Sequence, residues 1–302
     1  GVRQGDAAGG GGGAGAGWFG RLMGATGWKE GREHEAAYVP RPPFPKPEGL
    51  RAVVLSDPNV LAAIRAEVAD SGSSRGDVMA RCKDILAKME SRQDDTGPRM
   101  LAWAVRKVMR QIYEGIKVDE AGLERVRAVI AAGDGPVLLL PTHRSYMDFV
   151  CLSYVFFAYN LPLPFIAAGE DFLNMGFLSD LLRRSGAFFI RRSMRDDALY
   201  GALLKGYMQA LLLRGHCVEF FQEGTRSRSG KTLPPRLGLL SAAVEPLLDG
   251  RLREMHAVPV SLDFERPLET ALYSDEVLGQ SKAPESLANL LKASSVLRSD
   301  FG

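Results

Sequence analysis

Two short stretches carry residue types that no apolar core requires. The first is Pro-Thr-His-Arg-Ser-Tyr-Met-Asp-Phe at 141–149, and the second is Gly-His-Cys-Val-Glu-Phe-Phe-Gln-Glu-Gly-Thr-Arg-Ser-Arg-Ser-Gly-Lys at 215–231. In the second, an apolar run breaks abruptly into Glu223, Gly224, Thr225, Arg226, Ser227 and Arg228. Planar guanidinium forks bind phosphate oxygens in pairs, so Arg226 and Arg228, joined by Arg192, suit a phosphate monoester. Gly224 lets the backbone approach an anion, and Thr225 and Ser227 add hydroxyl donors. The competing plain reading is a solvated basic loop.

In the first stretch, Ser145-x-x-Asp148 has the pattern of a helix start, with Ser145 as N-cap and Asp148 reaching back. A carboxylate there points toward His143. Such a pair fixes the imidazole tautomer and stabilises the imidazolium, leaving the second ring nitrogen to take a proton. With an unperturbed pKa of about 6.5, histidine suits general-base work near neutrality. Taken alone, His143 and Asp148 fit a merely structural pair equally well. No enzyme nucleophile accompanies them. There is no Gly-x-Ser-x-Gly elbow, Cys151 and Cys217 lie in apolar runs, and Ser145 is used as a cap. A His–Asp pair here would therefore activate a hydroxyl of the substrate.

The elements that must position these residues follow from periodicity. Helical patterns start at Asp57-Pro58 and recur near 75–91, 99–115 and 119–132, giving a helical subdomain over 49–133. Past Gly133 the pattern changes. Short apolar strands are expected at 137–140, 163–167, 187–190, 217–221 and 257–262, alternating with helices at 145–159, 170–184, 197–214 and 235–248. Residues 134–302 thus read as an α/β layer with a mainly parallel sheet covered on both faces. His143 falls past the first strand, Arg191 and Arg192 past the third, and 223–228 past the fourth. Ligands of open α/β sheets bind beyond the carboxyl ends of the strands, so these loops are expected to form one site.

The chain has 302 residues, 46% hydrophobic and 25% charged, with a formal net charge of +2. Between Arg183 and Arg236, eleven Lys/Arg stand against four Asp/Glu, which implies a basic site on an otherwise acidic chain. Nucleic acid is not the expected partner, because the basic loop lacks interleaved aromatics. Three cysteines (Cys82, Cys151, Cys217) without close spacing fit neither a disulfide framework nor a zinc site. Residues 149–169 are uncharged for a span that could cross a bilayer, but Pro162 and Pro164 interrupt them, so a buried helix and a buried strand are expected. Residues 1–48, Gly-rich and then Pro-rich, are expected to be disordered. Without an initial Met the chain reads as a fragment, and absent targeting signals carry no weight.

His-Arg-Ser-Tyr-Met-Asp at 143–148, Gly-Ala-Phe-Phe-Ile-Arg-Arg at 186–192, 221–231, and Val-Pro-Val-Ser-Leu-Asp-Phe-Glu at 258–265 resemble, in order, the four motifs of the glycerolipid acyltransferases. Residues 166–172, 181–189 and 218–229 are most similar to the branch acting on dihydroxyacetone phosphate. Gln222 stands where relatives carry Leu or Pro. The resemblance implies that His143, oriented by Asp148, deprotonates an acceptor hydroxyl that attacks the thioester of a long-chain acyl-CoA. It implies that Arg192, Arg226 and Arg228 hold the acceptor phosphate, with Glu223, Gly224 and Thr225 in the same loop, and that Pro259 lies on the acyl-CoA side. Acyl-CoA is then a co-substrate, and neither metal nor bound cofactor is expected. The acceptor is dihydroxyacetone phosphate or, alternatively, glycerol-3-phosphate. The implied location is a membrane surface of the peroxisome, or of the mitochondrial outer membrane or endoplasmic reticulum. Two rivals stay open: a non-catalytic lipid or membrane binder on the same fold, and an acyl-CoA hydrolase.

Overall fold

A computed structural model describes residue 44 and residues 46–113, 115–191 and 197–265. Most of the segment expected to be disordered, and Arg192, lie outside the described residues. Within the N-terminal segment Phe44 is buried, and its ring stacks on Phe157 with centroids 6.3 Å apart.

The elements run α1 (Leu50–Leu55), α2 (Pro58–Ser71), α3 (Arg75–Met89), α4 (Gly97–Ile112), α5 (Glu120–Ala132), β1 (Val137–Pro141), α6 (Met147–Ala158), β2 (Phe165–Gly169), a 3-10 turn (Glu170–Asn174), α7 (Phe177–Arg184), β3 (Ala187–Ile190), α8 (Ala198–Leu213), β4 (Val218–Glu219), α9 (Leu237–Leu248) and β5 (His256–Val260). The strands form one sheet in the order β3-β2-β4-β1-β5, and every described pairing is parallel. This is the α/β architecture read from the sequence.

Alternation along β1 explains why both faces are covered. Leu138 joins Phe165, Phe188 and Val218 in a core with residues of α1, α2, α3, α8 and α9. Val137 and Leu139 point the other way, into a cluster with Val126 of α5 and Leu152 and Phe156 of α6. Strands buried on both faces read as continuous apolar runs, which is why 137–140 and 187–190 were legible. Helices α1–α3 pack on α8 and share their apolar core with the sheet. Polar contacts tie them further. The buried Arg183 guanidinium donates to the Ala87 and Lys88 carbonyls, 2.8 and 2.7 Å away, and so occupies open acceptors at the end of α3. The Tyr207 hydroxyl accepts the Ser91 N–H at 2.9 Å.

Three element expectations change. The helix expected over 170–184 is divided, because Gly176 adopts φ 53° and ψ −120°, which suits glycine and breaks the helical ladder. The fourth strand, expected over 217–221, pairs only through Val218–Glu219, since the chain turns where the Gly224 N–H reaches the Phe221 carbonyl at 3.0 Å. A short helix, α1, precedes the first one expected. Among the described residues no helix is long and apolar enough to cross a membrane, and 149–169 divide into α6 and β2 as expected.

Candidate active site

The chain leaves β1 at Pro141 and enters α6 at Met147, and the loop between them is held by one carboxylate. Asp148, fully buried in the first turn of α6, accepts through Oδ2 the N–H groups of Arg144 (2.7 Å) and Ser145 (2.9 Å). The same oxygen lies 2.9 Å from His143 Nδ1. A helix N-terminus favours an anion at that place, because its backbone N–H groups lack intrahelical partners. The helix begins two residues later than expected, yet the Ser145 hydroxyl still accepts the Met147 N–H at 3.1 Å. With Nδ1 committed to Asp148, Nε2 is the ring nitrogen left for chemistry. The imidazole is 17% exposed and stacks on Phe221 with centroids 4.0 Å apart.

The loop after β4 docks against the same turn. Glu223 accepts the His143 backbone N–H at 2.9 Å and the Leu233 N–H at 2.8 Å, one on each carboxylate oxygen. The Ser227 N–H donates to the His143 carbonyl at 2.7 Å. Gly224 has φ 66°, which favours glycine, and a Cβ there would stand 2.7 Å from Cδ of Arg236, so that side chain would have to shift. Arg226 is buried, with its guanidinium carbon 3.5 Å from the Tyr146 ring centre. A guanidinium over an aromatic face is stabilised by the ring quadrupole.

These loops border one cavity of about 460 Å³, lined by His143, Gly224, Thr225, Arg226, Arg191 and Arg236 on its polar side. Phe149, Ile166, Phe172, Phe220 and Leu239 line its apolar side, with Phe149 and Phe172 meeting edge to face at 5.8 Å. A cavity of this kind, apolar with a few convergent polar groups, suits a ligand with a charged head and an aliphatic part.

The structure therefore brings His143, Asp148, Glu223, Gly224, Thr225 and Arg226 together, in different positions. His143, Gly224, Thr225 and Arg226 face the cavity. Glu223 is spent on backbone N–H groups, so it frames the loop and does not present its carboxylate to a phosphate. Arg228 does not line the cavity, and its Nε is buried. Pro259 lies on β5 opposite Leu140, on an exposed edge position where a missing N–H costs no ladder bond, and it is not among the cavity residues.

Sequence reasoning passed over Tyr146, Phe149, Phe172 and Arg236. Tyr146 sits within the His143–Asp148 motif itself, which was the available signal. The basic excess between Arg183 and Arg236 is also redistributed. Arg183 caps α3, Arg184 pairs with Asp94 at 2.6 Å, and Lys205 hydrogen-bonds Glu245 at 2.7 Å. Arg191 lines the cavity while pairing with Asp197 at 2.9 Å. Cys151 and Cys217 are buried, and burial pushes both thiols up to about 12, so neither supplies a thiolate near neutrality.

One further carboxyl lies behind the pair. Glu219, on the central strand β4, is fully buried, and neither of its oxygens has a hydrogen-bond partner among the described residues. Burial, reinforced by the Asp148 charge, pushes it well above the usual carboxylate range.

Comparison with known proteins gives this arrangement a family. Residues 117–263 match the Acyltransferase family model. The chain is 38% identical over 258 residues to mouse dihydroxyacetone phosphate acyltransferase, and 39% identical over 258 residues to the human one, in each case 85% of this chain and 38% of the relative. It is 34% identical over 257 residues to glycerol-3-phosphate acyltransferase of Pasteurella multocida (strain Pm70), covering 85% of this chain and 31% of that protein. The chain thus spans well under half the length of these relatives. Its residues 117–263, which hold β1 to β5 and every loop bordering the cavity, are an Acyltransferase-family domain.

Proposed function

We propose that this domain moves a long-chain acyl group from acyl-CoA to the hydroxyl of dihydroxyacetone phosphate, with His143 as general base. The observation that carries the proposal is the 2.9 Å contact of His143 Nδ1 with the buried Asp148, made at the rim of a cavity that also holds Arg226. His143 Nε2 takes the proton of the acceptor hydroxyl as its oxygen attacks the thioester carbonyl carbon. The tetrahedral intermediate then collapses, the carbon–sulfur bond breaks, and the proton on Nε2 passes to the departing CoA thiolate. Asp148 stabilises the imidazolium formed between these steps. Arg226 and Thr225 receive the acceptor phosphate, and Glu223 and Gly224 hold their loop in place. The apolar wall of Phe149, Phe172 and Phe220 takes the acyl chain.

The Pasteurella relative supports glycerol-3-phosphate as the second reading of the acceptor. Kinetics with palmitoyl-CoA and each acceptor decide between them. A higher kcat/KM for dihydroxyacetone phosphate is expected, and a preference for glycerol-3-phosphate replaces the first reading with the second. The same reading places the protein at the peroxisomal membrane surface. Imaging of the full-length protein tests this, and a mitochondrial or reticular pattern contradicts it.

A further inference from the structure

A phosphate monoester carries a charge of about −1.5 to −2 near neutrality, so one guanidinium leaves much of it unbalanced. Arg226 supplies one. The companion expected from the sequence, Arg228, does not line the cavity, and Arg192 lies outside the described residues. Arg191 does line it, but its guanidinium is engaged, 2.9 Å from the Asp197 carboxylate and 4.3 Å from the Tyr200 ring centre. That leaves Arg236, the residue before α9, which also lines the cavity.

The loop after β4 holds Arg236 in that place. The Arg236 backbone N–H donates to the Gln222 carbonyl at 2.7 Å, which ties the start of α9 to the loop. Its side chain runs across Gly224: a Cβ on that glycine would stand 2.7 Å from Cδ and 3.1 Å from Nε of Arg236. The bare glycine thus makes room for the arginine stem and sets its Nε beside the backbone that carries Thr225 and Arg226. Arg236 is exposed, and among the described residues its guanidinium has neither an ion pair nor a hydrogen bond. The first turn of α9 carries no acidic residue, and Asp171 is the one carboxylate among the described residues that line the cavity. A guanidinium fork in that setting matches the oxygens of a phosphate, and the charge on both partners strengthens each bond. We propose that Arg236 is the second guanidinium on the acceptor phosphate, closing on it from the α9 side while Arg226 and Thr225 hold it from the loop after β4. The inference rests on the reading of this cavity as an acyl-acceptor site and names a further residue of it. It applies equally to dihydroxyacetone phosphate and glycerol-3-phosphate, which share the phosphate.

The test uses R236Q, which keeps a stem on Gly224 and removes the charge, and R236K, which restores the charge without the fork. With palmitoyl-CoA as donor, R236Q should raise the acceptor KM about 10-fold and leave the palmitoyl-CoA KM within about twofold of the wild type. R236K should fall between R236Q and the wild type. Thermal unfolding of the full chain in inorganic phosphate gives a readout without catalysis. R236Q should need about 10-fold more phosphate than the wild type for the same rise in melting temperature, and the two should melt alike without phosphate. An unchanged acceptor KM beside normal acyl transfer, or an equal response to phosphate, would overturn the assignment and leave the acyl-transfer reading intact. So would a rise confined to the palmitoyl-CoA KM, which would give Arg236 to the co-substrate, or a lower melting temperature of phosphate-free R236Q, which would make its role structural. A phosphate response that R236Q loses, in a wild type that transfers no acyl group to either acceptor, would support the assignment and contradict acyl transfer instead.

Discussion

Asp148 fixes the geometry of the candidate site because a single oxygen gathers two backbone N–H groups and one imidazole nitrogen. His143→Ala removes the proposed base and leaves the Asp148–backbone contacts, so turnover should fall by roughly 10²–10⁴-fold with the fold intact. Steady-state rates beside circular dichroism check this. Asp148→Ala is different in kind, since it also releases the Arg144 and Ser145 N–H groups, and it should lower the melting temperature as well as the rate. Arg226 has a narrower task. Charged hydrogen bonds contribute about 1.5–3 kcal/mol, so Arg226→Ala should raise the acceptor KM by about 10- to 100-fold and change the acyl-CoA KM little. An unchanged acceptor KM would remove Arg226 from the phosphate role.

At the scale of elements, β4 holds a carboxylic acid in the middle of a parallel sheet. The folded chain keeps the Glu219 proton to a pH at which an unfolded chain has lost it, so its contribution to stability is complete below the ordinary value of 4.5 and declines as pH rises through the folded value. Each pH unit in that window costs up to about 1.4 kcal/mol. Urea unfolding between pH 5 and pH 8 should therefore show wild-type stability falling with a slope that Glu219→Gln lacks, and equal slopes would show that Glu219 ionises in the folded protein. Much of this level was legible beforehand. Ala187–Ile190 stood out as an apolar run between Gly186 and Arg191, and the loops after β1 and β4 were visible through residues that no core needs. Pairings across the fold were not. Nothing local distinguishes Arg183, which caps α3, from Arg226, which lies over Tyr146, because each is an arginine in a basic stretch and only the partner separates them. Glu219 was hidden for a related reason: one polar residue inside the strand expected over 217–221 gives no sign of full burial until the sheet shows β4 at its centre.

Across the whole molecule, the helices before β1 and the sheet are joined by a continuous apolar core, in which Leu86 of α3 and Tyr207 of α8 are both buried. A shared core of this kind unfolds as one unit. Calorimetry should show a single transition, and Leu86→Ala should lower it by about 2–5 kcal/mol, the cost of an unfilled core site, while shifting the transition as a whole. Two separable transitions would mean that the helices and the sheet are independent. The cavity's place beyond the strand ends, between a basic loop and an aromatic wall, makes acyl transfer to the free hydroxyl of a phosphorylated acceptor the central claim. The most direct measurement is CoA release by the purified full chain from palmitoyl-CoA, with and without dihydroxyacetone phosphate, for the wild type and His143→Ala. The account predicts release that requires the acceptor and is largely lost in His143→Ala. Release at the same rate without acceptor, or undiminished in a folded His143→Ala protein, would contradict it.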